Sequence, residues 1–291
     1  MKFLPLLLAV ALPAQASSPC SYFDLLSARF NPLGLSHELY LRCERPLYRS
    51  ATPALATNFV ALVPGLALSP ASLRPSIALE VQPASVFNLF VAYQPTLWYG
   101  WLGSLQSFPS VHSNWGSSLL GSPDSPNGPS TQLIHQFVLG GTLQARVGPF
   151  AARSVTRFSY FRATVHGDPV FYDPRADLLT PARGWTVEEE TVVTWSPGAA
   201  LVLGLDLTYE HAFYPGTAYR PEEPRDNPNS QTRLGPLLLY TPFEHQPGAL
   251  LDAPSFFVLL SFYLDHRYRA GANVSQAIPY LAAGLSFKGD L

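Results

Sequence analysis

Apolar and polar residues alternate along much of this chain with a period of two, which is the period of a β-strand. The clearest case is the segment from Ala200 to Phe213. One face of this segment consists of Leu201, Leu203, Leu205, Leu207, Tyr209 and Phe213, and the other of Val202, Gly204, Asp206, Thr208 and Glu210. An apolar face suits lipid and a polar face suits a lumen, so the pattern predicts a strand of a membrane β-barrel.

The same alternation continues elsewhere in the chain. It is clear at 86–97 and 133–147, and weaker at 35–45, 58–69, 74–82, 151–162, 185–196, 232–241, 255–265 and 278–288. This makes eleven strands, whereas single-chain bacterial barrels have an even number. We therefore predict an all-β fold, an antiparallel transmembrane β-barrel of about 12 strands, with about 10 as the alternative. We expect the uncounted strand within 35–82, where Pro64, Pro70 and Pro75 blur the boundaries.

The connections between these segments differ in length. Short turns fall at 83–85, 148–149 and 197–198, and long polar stretches at 99–131, 163–184, 214–231 and 267–277. Barrels of the bacterial outer membrane have short periplasmic turns and long outer loops. We therefore expect the short turns and the C-terminus on the periplasmic side.

The first residues have the pattern of an export signal. Lys2 precedes an apolar run at 3–12, and Ala14-Gln15-Ala16 fits a signal-peptidase site. A lipoprotein signal fits less well, because Ser18-Pro19 precede Cys20. We predict a Sec-type signal peptide at 1–16, an N-terminal periplasmic segment at 17–34 and the barrel at 35–291, located in the outer membrane.

Composition agrees with this location. The chain is 47% hydrophobic and only 13% charged, whereas soluble domains are about 25% charged. A soluble β-sandwich is therefore the less favoured fold. No stretch after the signal reaches the roughly 20 apolar residues of a membrane helix. A net charge of −2 lacks the basic face of nucleic-acid-binding proteins. The expected partners are outer-membrane lipid and the barrel-assembly machinery, with the oligomeric state left open.

Aromatic residues and cysteines add two structural expectations. Aromatic rings at strand ends predict girdles at the membrane surfaces, formed by Trp98, Tyr99, Trp101, Trp185, Trp195, Tyr209, Phe213 and Tyr240. Cys20 and Cys43 are the only cysteines, and in an oxidising compartment they form either a disulfide or two free thiols.

The alternation also selects residues for the lumen. These are Glu80, Asn88, Gln94, Gln144, Arg146, Arg153, Arg157, Glu188, Glu190, Asp206, Thr208 and Glu210. Inward acids and bases nearly balance. This favours salt bridges that fill a narrow barrel over a ring of one sign that selects ions.

Loop residues give weaker indications of a catalytic or metal-binding site. His112-Ser113-Asn114 and His166-Gly167-Asp168 place histidine beside polar groups, as a lipid hydrolase would. Loop polar residues are usually solvated, so we expect no enzyme. The acids Asp168, Asp173, Asp177 and the run 222–227 lack the spacing of an EF-hand, so we predict no metal and no cofactor.

Six short motifs resemble uncharacterised outer-membrane β-barrel proteins of GC-rich Gram-negative bacteria. They lie at 30–34, 79–83, 105–108, 171–174, 233–237 and 274–280. The resemblance implies an outer-membrane barrel and transfers no catalytic residue. Two functional hypotheses follow: a narrow channel or transporter for a small solute or lipid, and a structural or surface-interaction barrel that acts through its outer loops.

Overall fold

The structure is a computed structural model that describes residues 20–101, 105–116, 119–120, 122, 127–243, 252–270 and 279–291. The predicted signal peptide at 1–16 lies outside the described residues. Among the described residues, no helix is both long and apolar enough to cross a bilayer.

The first eight strands in chain order are β1 (Cys20–Phe30), β2 (Gly34–Arg45), β3 (Phe59–Ser69), β4 (Ser72–Ala84), β5 (Phe87–Tyr93), β6 (Thr96–Tyr99), β7 (Ser107–Phe108) and β8 (Thr131–Val147). The others are β9 (Phe150–Arg162), β10 (Val170–Asp173), β11 (Leu178–Pro181), β12 (Arg183–Trp195), β13 (Leu201–Phe213), β14 (Ser230–Tyr240), β15 (Ser255–His266) and β16 (Tyr280–Asp290). A short helix α1 (Pro53–Ala56) and a 3-10 turn at Gly216–Ala218 complete the regular structure.

All of these strands except β7, β10 and β11 form a closed antiparallel barrel, which has 12 strands when β5 and β6 are taken as one, and this confirms the predicted fold. Neighbours in the chain pair with each other, and β1 closes the ring on β16 from Ser21 opposite Asp290 to Phe30 opposite Leu281. β5 and β6 occupy one strand position in the ring, because both pair with β8 on one side and with β4 on the other. They are separated at Pro95, which lacks the N–H that a central ladder needs.

The strand that the sequence analysis did not count is β1. Its inward residues Leu25, Ser27 and Arg29 alternate with outward Leu26 and Phe30. Residues 20–30 of the predicted periplasmic segment 17–34 therefore belong to the barrel, and the expectation of a further strand within 35–82 was wrong. The prolines there do not end the strands, because β3 and β4 pair without a break, with Pro64 opposite Ile77 and Pro75 opposite Leu66. The pairing of β3 with β2 is interrupted at Pro64, between Gly65 opposite Tyr40 and Leu62 opposite Cys43, as expected of a residue without an N–H.

The N-terminal strand is also tied covalently to its neighbour. Cys20 and Cys43 lie opposite each other on β1 and β2 and are joined by a disulfide. The bond lies at the end of the barrel where the chain enters β1.

The outer wall of the barrel is apolar. Large side chains project outward on strands all around the ring, among them Leu26, Leu62, Ile77, Leu89, Leu139, Phe158, Val193, Leu205, Leu238, Phe256, Phe262 and Leu281. An apolar band around a barrel with a polar interior is the pattern of a membrane-spanning barrel.

Aromatic side chains mark both ends of this band. Trp185 lies opposite Phe213 at one end, where its ring is tilted against that of Tyr160 with the ring centres 5.2 Å apart, and Trp195 and Tyr240 lie at the other. Tyr99 and Trp101 lie at the first end, beside Thr131 and Pro70. Tyr209, also predicted for a girdle, instead lies four residues from Phe213, opposite Glu189 near the middle of β12. Trp98 is a second exception, since only 2% of it is exposed. Its assignment to a girdle is wrong because it points into the barrel, where it packs with Leu105, Ile134 and Phe161.

The two ends differ in their connections. The long stretches between β6 and β8, β9 and β12, β13 and β14, and β15 and β16 all lie at one end, here called the long-loop end. β1 begins and β16 finishes at the opposite, short-turn end. The expected contrast between short turns at one end of the barrel and long loops at the other holds only in part. The hairpins β1–β2 and β3–β4 are tight at the long-loop end, whereas 46–58 and 241–254 are long at the other.

The long loops fold over their end of the barrel. β11, β10 and β7 form a small sheet, and with the residues around them at 105–116, 163–182 and 214–229 they make a structure that we call the cap. Its apolar core consists of Phe108, Val111, Trp115, Val170, Tyr172, Leu179 and Ala218. A second cluster joins the cap residues Leu105, Val165 and Phe171 to Trp98, Ile134 and Phe161 of the barrel wall. The cap is therefore packed into the barrel mouth.

Candidate functional site

The candidate site is the polar part of the barrel interior. On β9, β12 and β13 the inward positions carry Arg153, Arg157, Glu188, Glu190, Asp206, Thr208 and Glu210, all buried. They are brought together because β12 pairs with β9 on one side and β13 on the other, with alternate residues facing inward.

Arg157 is the centre of this charged wall. Its Nη1 lies 3.2 Å from Glu188 Oε1, its cross-strand neighbour, and 3.7 Å from Glu190 Oε2. On β13, the Thr208 hydroxyl donates to Asp206 Oδ1 at 3.0 Å. One guanidinium thus serves two carboxylates, and buried charges require such pairing.

A second charged wall lies on β2 and β4. Tyr40 donates to Glu38 Oε2 at 2.8 Å, and Arg74 Nη2 lies 3.8 Å from the same oxygen. Towards the short-turn end, Arg42 Nη1 pairs with Glu80 Oε2 at 2.7 Å. Arg42 also contacts Glu44, with Nε 3.0 Å from Oε2.

Sequence reasoning identified only Glu80 in this second wall. The sequence does contain the polar alternation that indicates this wall. Its polar residues on β2 occupy alternate positions: Ser36, Glu38, Tyr40, Arg42 and Glu44. On β1 and β14, Arg29 and Arg233 are likewise buried and inward, and neither was predicted.

The opposite side of the interior is apolar. Leu25, Phe257, Tyr280 and Ala282 form a buried cluster on β1, β15 and β16, against which Phe23, Leu239, Leu259 and Tyr263 pack. Arg233 marks the boundary, since its guanidinium lies 4.2 Å from the centre of the Tyr280 ring. Ser27 and Arg29 of β1 are polar exceptions on this side, and most other buried polar side chains of the interior lie on β2, β4, β5, β8, β9, β12 and β13. A polar route through the barrel therefore runs along those strands.

Several buried polar atoms of the interior have no protein hydrogen-bond partner among the described residues. They are Asn88 Oδ1, Gln136 Oε1, Thr142 Oγ1, Arg153 Nε and Arg233 Nε. Leaving such an atom unpaired costs about 1–3 kcal/mol. Water in a narrow lumen can satisfy these atoms, so the polar side is suited to a hydrated interior.

The interior is closed at the long-loop end by a part of the cap. We call residues 170–181, which are β10, β11 and the turn between them, the plug hairpin. All residues of its two strands are buried. Arg29 Nη2 donates to the carbonyl of Pro174 at 2.6 Å, and the Gln231 side chain donates to the carbonyl of Ala176. Both contacts join the barrel wall to the turn of the hairpin.

A cluster around Asp177 fixes the same turn. Arg269 Nε lies 2.5 Å from Asp177 Oδ2, and Arg269 Nη2 lies 3.1 Å from Oδ1. Tyr172 donates to Oδ1 at 2.8 Å, and His266 Nε2 lies 3.2 Å from Oδ2. Burial alone would raise the pKa of Asp177, but hydrogen bonds and charge from His266 and Arg269 hold that pKa well below its usual range.

A small cavity lies between the plug hairpin and the charged wall. It is lined by Asp173, Leu178 and Thr180 of the hairpin and by Phe161, Glu188 and Glu210 of the barrel, among others. The plug hairpin therefore separates the charged interior from the outside of the cap.

The other predicted lumen residues are placed as follows. Asn88 is buried, whereas Glu80, Gln94 and Gln144 are half-buried. Gln144 donates to the carbonyl of Ser85 at 2.8 Å, near the short-turn end. Arg146 is exposed at the β8–β9 turn, where it donates to the carbonyl of Gly148, so its assignment to the buried lumen is wrong. β8 extends past the buried interior at this point.

The loop residues considered for catalysis bond to different partners and not to one another. His112 Nε2 lies 3.2 Å from Asp226 Oδ1, while the Ser113 hydroxyl accepts from the backbone of Ser110. Asp168 accepts from Ser107 and Asn127. Among the described residues, no cluster of three or more His, Cys, Asp or Glu side chains is arranged to bind a metal.

Comparison with known proteins gives distant structural similarity. No protein-family model and no curated protein sequence matches the chain. The NanC porin is 7% identical over 93% of this chain and 100% of its own, with a TM-score of 0.40. A mutant of the TodX monoaromatic hydrocarbon channel is 11% identical over 94% of this chain and 89% of its own, with a TM-score of 0.37. A loop-deletion mutant of OmpT, an outer membrane protein of Vibrio cholerae, is 7% identical over 94% and 99%, with a TM-score of 0.36.

Similarity at this level carries no functional argument. The description of the barrel rests on its own strand pairing and on its apolar outer wall. The sequence resemblance to barrels of GC-rich Gram-negative bacteria stays a prediction.

Proposed function

We propose that this protein is an outer-membrane channel for small polar solutes and that the plug hairpin closes it in the conformation described. The observation that carries the proposal is the division of the interior. One side is lined mainly by apolar side chains, and the other by charged groups and by buried polar atoms that have no protein partner in the described part of the chain. A barrel that needed only to be filled would avoid this cost, since well-packed apolar residues serve as well as buried ion pairs or better.

The proposed route runs along the charged walls. It begins at the short-turn end, where Arg42 and Glu44 are partly exposed, and passes Arg157. It ends at the cavity beneath the plug hairpin. Acids outnumber bases on the two walls, with Glu38, Glu44, Glu80, Glu188, Glu190, Asp206 and Glu210 against Arg42, Arg74, Arg153 and Arg157. This excess favours a small polar solute that is neutral or positively charged over an anion.

Opening would require the turn of the plug hairpin to leave its contacts with Arg29, Gln231 and Arg269. Most of these bonds involve a charged group, and each such hydrogen bond contributes about 1.5–3 kcal/mol. Loss of one of them should therefore favour the open state without disturbing the barrel strands.

Planar-bilayer recording of the purified full chain tests the proposal. We expect wild-type protein to open rarely and D177N to open about tenfold more often, since one charge-assisted bond is weakened. D226N is the matched control, because it removes the same charge from a cap side chain that is 67% exposed. Heat-dependent gel mobility verifies that all three proteins are folded. Folded wild-type and D177N proteins that both fail to conduct would overturn the channel.

A closed scaffold that presents the cap to other molecules is the second candidate. The tight packing of the cap favours it. Trp115 Nε1 donates to Asn229 Oδ1 at 2.9 Å, and Arg267 donates to the carbonyls of Val111 at 3.2 Å and of His112 at 2.8 Å. This candidate predicts no conductance from the wild type or from D177N.

A further inference from the structure

Arg153 on β9 is a buried arginine of the barrel interior. Its side chain is 5% exposed, yet among the described residues its guanidinium forms no hydrogen bond or salt bridge, and its Nε is a buried donor without an acceptor. Arg157, on the same face of β9, pairs with Glu188. Arg233 also has an unpartnered Nε, but its guanidinium lies over the Tyr280 ring. A buried cation without a close partner is costly, so the guanidinium of Arg153 is available to a group that is not part of the described chain.

Two further polar atoms without partners lie beside Arg153. Arg153 is opposite Gln144 on β8, so its diagonal neighbour on the inward face of β8 is Thr142. Thr142 is in turn opposite Asn88 on β5. Thr142 Oγ1 and Asn88 Oδ1 are both buried and have no hydrogen-bond partner within the described ranges. Diagonal neighbours on adjacent strands are within reach of a long side chain, so these three residues form one polar group on β5, β8 and β9.

The other flank of Arg153 is negative. Val192 on β12 lies opposite Arg153, which makes Glu190 its diagonal neighbour on that side. Glu190 is buried, and Arg157 holds it loosely, with Nη1 3.7 Å from Oε2. Arg153 and Glu190 attract each other electrostatically but do not form a salt bridge. A positive and a negative group thus face the interior side by side, with a gap between them.

A small solute that carries both a carboxylate and a protonated amine matches this arrangement. Its carboxylate can accept two parallel hydrogen bonds from the planar guanidinium of Arg153. Its ammonium group can donate to Glu190, while the Thr142 hydroxyl can donate to the carboxylate. A simple anion would meet the excess of acids on the walls, and a simple cation would leave Arg153 without a partner. A zwitterion has no net charge and satisfies both groups.

We propose that Arg153 and Glu190 form a binding subsite for a small zwitterionic solute, with the Thr142 hydroxyl as a third contact. The subsite lies near the short-turn end of β9 (Phe150–Arg162), below the plug hairpin, so a solute reaches it from the short-turn end. The inference rests on the proposed function of the barrel as a channel and narrows the class of solute that the channel takes.

Saturation-transfer NMR of the full chain in detergent micelles tests the subsite with three probes at neutral pH. Glycine carries both charges, acetate carries only the carboxylate, and ethylammonium carries only the amine. We expect the Kd of glycine to be at least about tenfold lower than that of either other probe, because glycine alone pairs with both Arg153 and Glu190.

Two variants separate the roles of the charged groups. R153M should weaken glycine binding at least about tenfold. R146M is the matched control, because it removes the same charge from an exposed arginine at the β8–β9 turn and should bind glycine as the wild type does. E190Q removes the partner of the ammonium and leaves Arg153 in place. We expect it to lose the preference for glycine over acetate, whereas a merely structural role of Glu190 would weaken both probes equally.

The binding measurement is independent of conduction. Heat-dependent gel mobility verifies that each variant is folded. The subsite is overturned if folded wild-type protein binds glycine no more tightly than acetate or ethylammonium, or if R153M binds glycine as tightly as R146M. Protein that conducts without this preference would remove the subsite and leave the channel. Protein that binds glycine selectively, while the wild type and D177N never conduct, would remove the channel and leave the subsite.

Discussion

Asp177 of the plug hairpin and Arg269 of the β15–β16 loop form a two-pronged ion pair, with Nε–Oδ2 and Nη2–Oδ1 distances of 2.5 and 3.1 Å. The two residues are far apart in the chain and meet only where the cap enters the barrel. The guanidinium of Arg269 also donates to the side chain of Asn31 in the β1–β2 turn. The pair therefore connects the plug hairpin to the rim at the strands that close the ring.

Acid should release this pair only well below the usual range of a carboxyl group. An aspartate has an ordinary pKa of about 3.9, and the pKa of Asp177 is lowered in the folded protein. Its contribution is complete above the unfolded pKa and is lost as pH falls through the lower, folded pKa. We expect hydrogen exchange of the hairpin amides to be equally slow from about pH 7 to about pH 5, after correction for the intrinsic rate. Loss of protection within that interval would mean that another group controls the hairpin.

Removal of Arg157 should destabilise the barrel more than removal of an exposed arginine. R157M leaves Glu188 and Glu190 without their shared cation, which we expect to lower the free energy of unfolding by about 3 kcal/mol. Urea unfolding in vesicles measures this change. R162M is the control, because Arg162 is an exposed residue at the end of the same strand, and it should cost less than about 1 kcal/mol. Equal effects would contradict a buried charge network.

The disulfide between Cys20 and Cys43 should stabilise the edge at which the ring closes. Joining residues 23 apart in the chain restricts the unfolded state, and we expect reduction to lower the free energy of unfolding by about 3 kcal/mol. The experiment compares urea midpoints of the wild type and of C20S/C43S with and without reductant. The double variant should match the reduced wild type and be insensitive to reductant. A wild type that is equally insensitive would show that the bond does not contribute.

Trp98 and Trp101 should respond differently to truncation despite their proximity in the chain. Trp98 is 2% exposed and packs under the cap, whereas Trp101 is 58% exposed at the rim. We expect W98A to cost about 3–5 kcal/mol through the cavity that it creates, and W101A to cost much less. Unfolding of both variants in the same lipid measures the difference. Comparable losses of unfolding free energy in the two variants would contradict the burial of Trp98 inside the barrel.

Much of the barrel could be predicted from local pattern. Each of the eleven segments with period-two alternation corresponds to one strand position of the barrel. The predicted inward and outward faces of β13 agree with the burial of its side chains. β1 was not counted because it follows the predicted export signal closely and its outward face includes Asp24. That residue is accommodated by His37 on the next strand, a contact that spacing in the chain does not reveal.

The candidate site was predicted less completely. Inward charges on β9, β12 and β13 follow from alternation, but Trp98 breaks the expectation for a girdle because the cap supplies a partner inside the barrel. Arg146 breaks the expectation for the lumen because β8 extends beyond the buried interior. In both cases, the environment depends on how far the strand reaches and on what packs against it.

The sequence by itself determined the faces of the strands, since the direction of a β side chain depends only on its position parity. The low charge and the aromatic strand ends likewise indicated a membrane without knowledge of the fold. Tertiary structure decided the rest: closure of β1 on β16, the filling of one side of the interior by Leu25 and Phe257, and the insertion of the plug hairpin. These features depend on contacts between residues far apart in the chain, and such contacts leave no local period to detect.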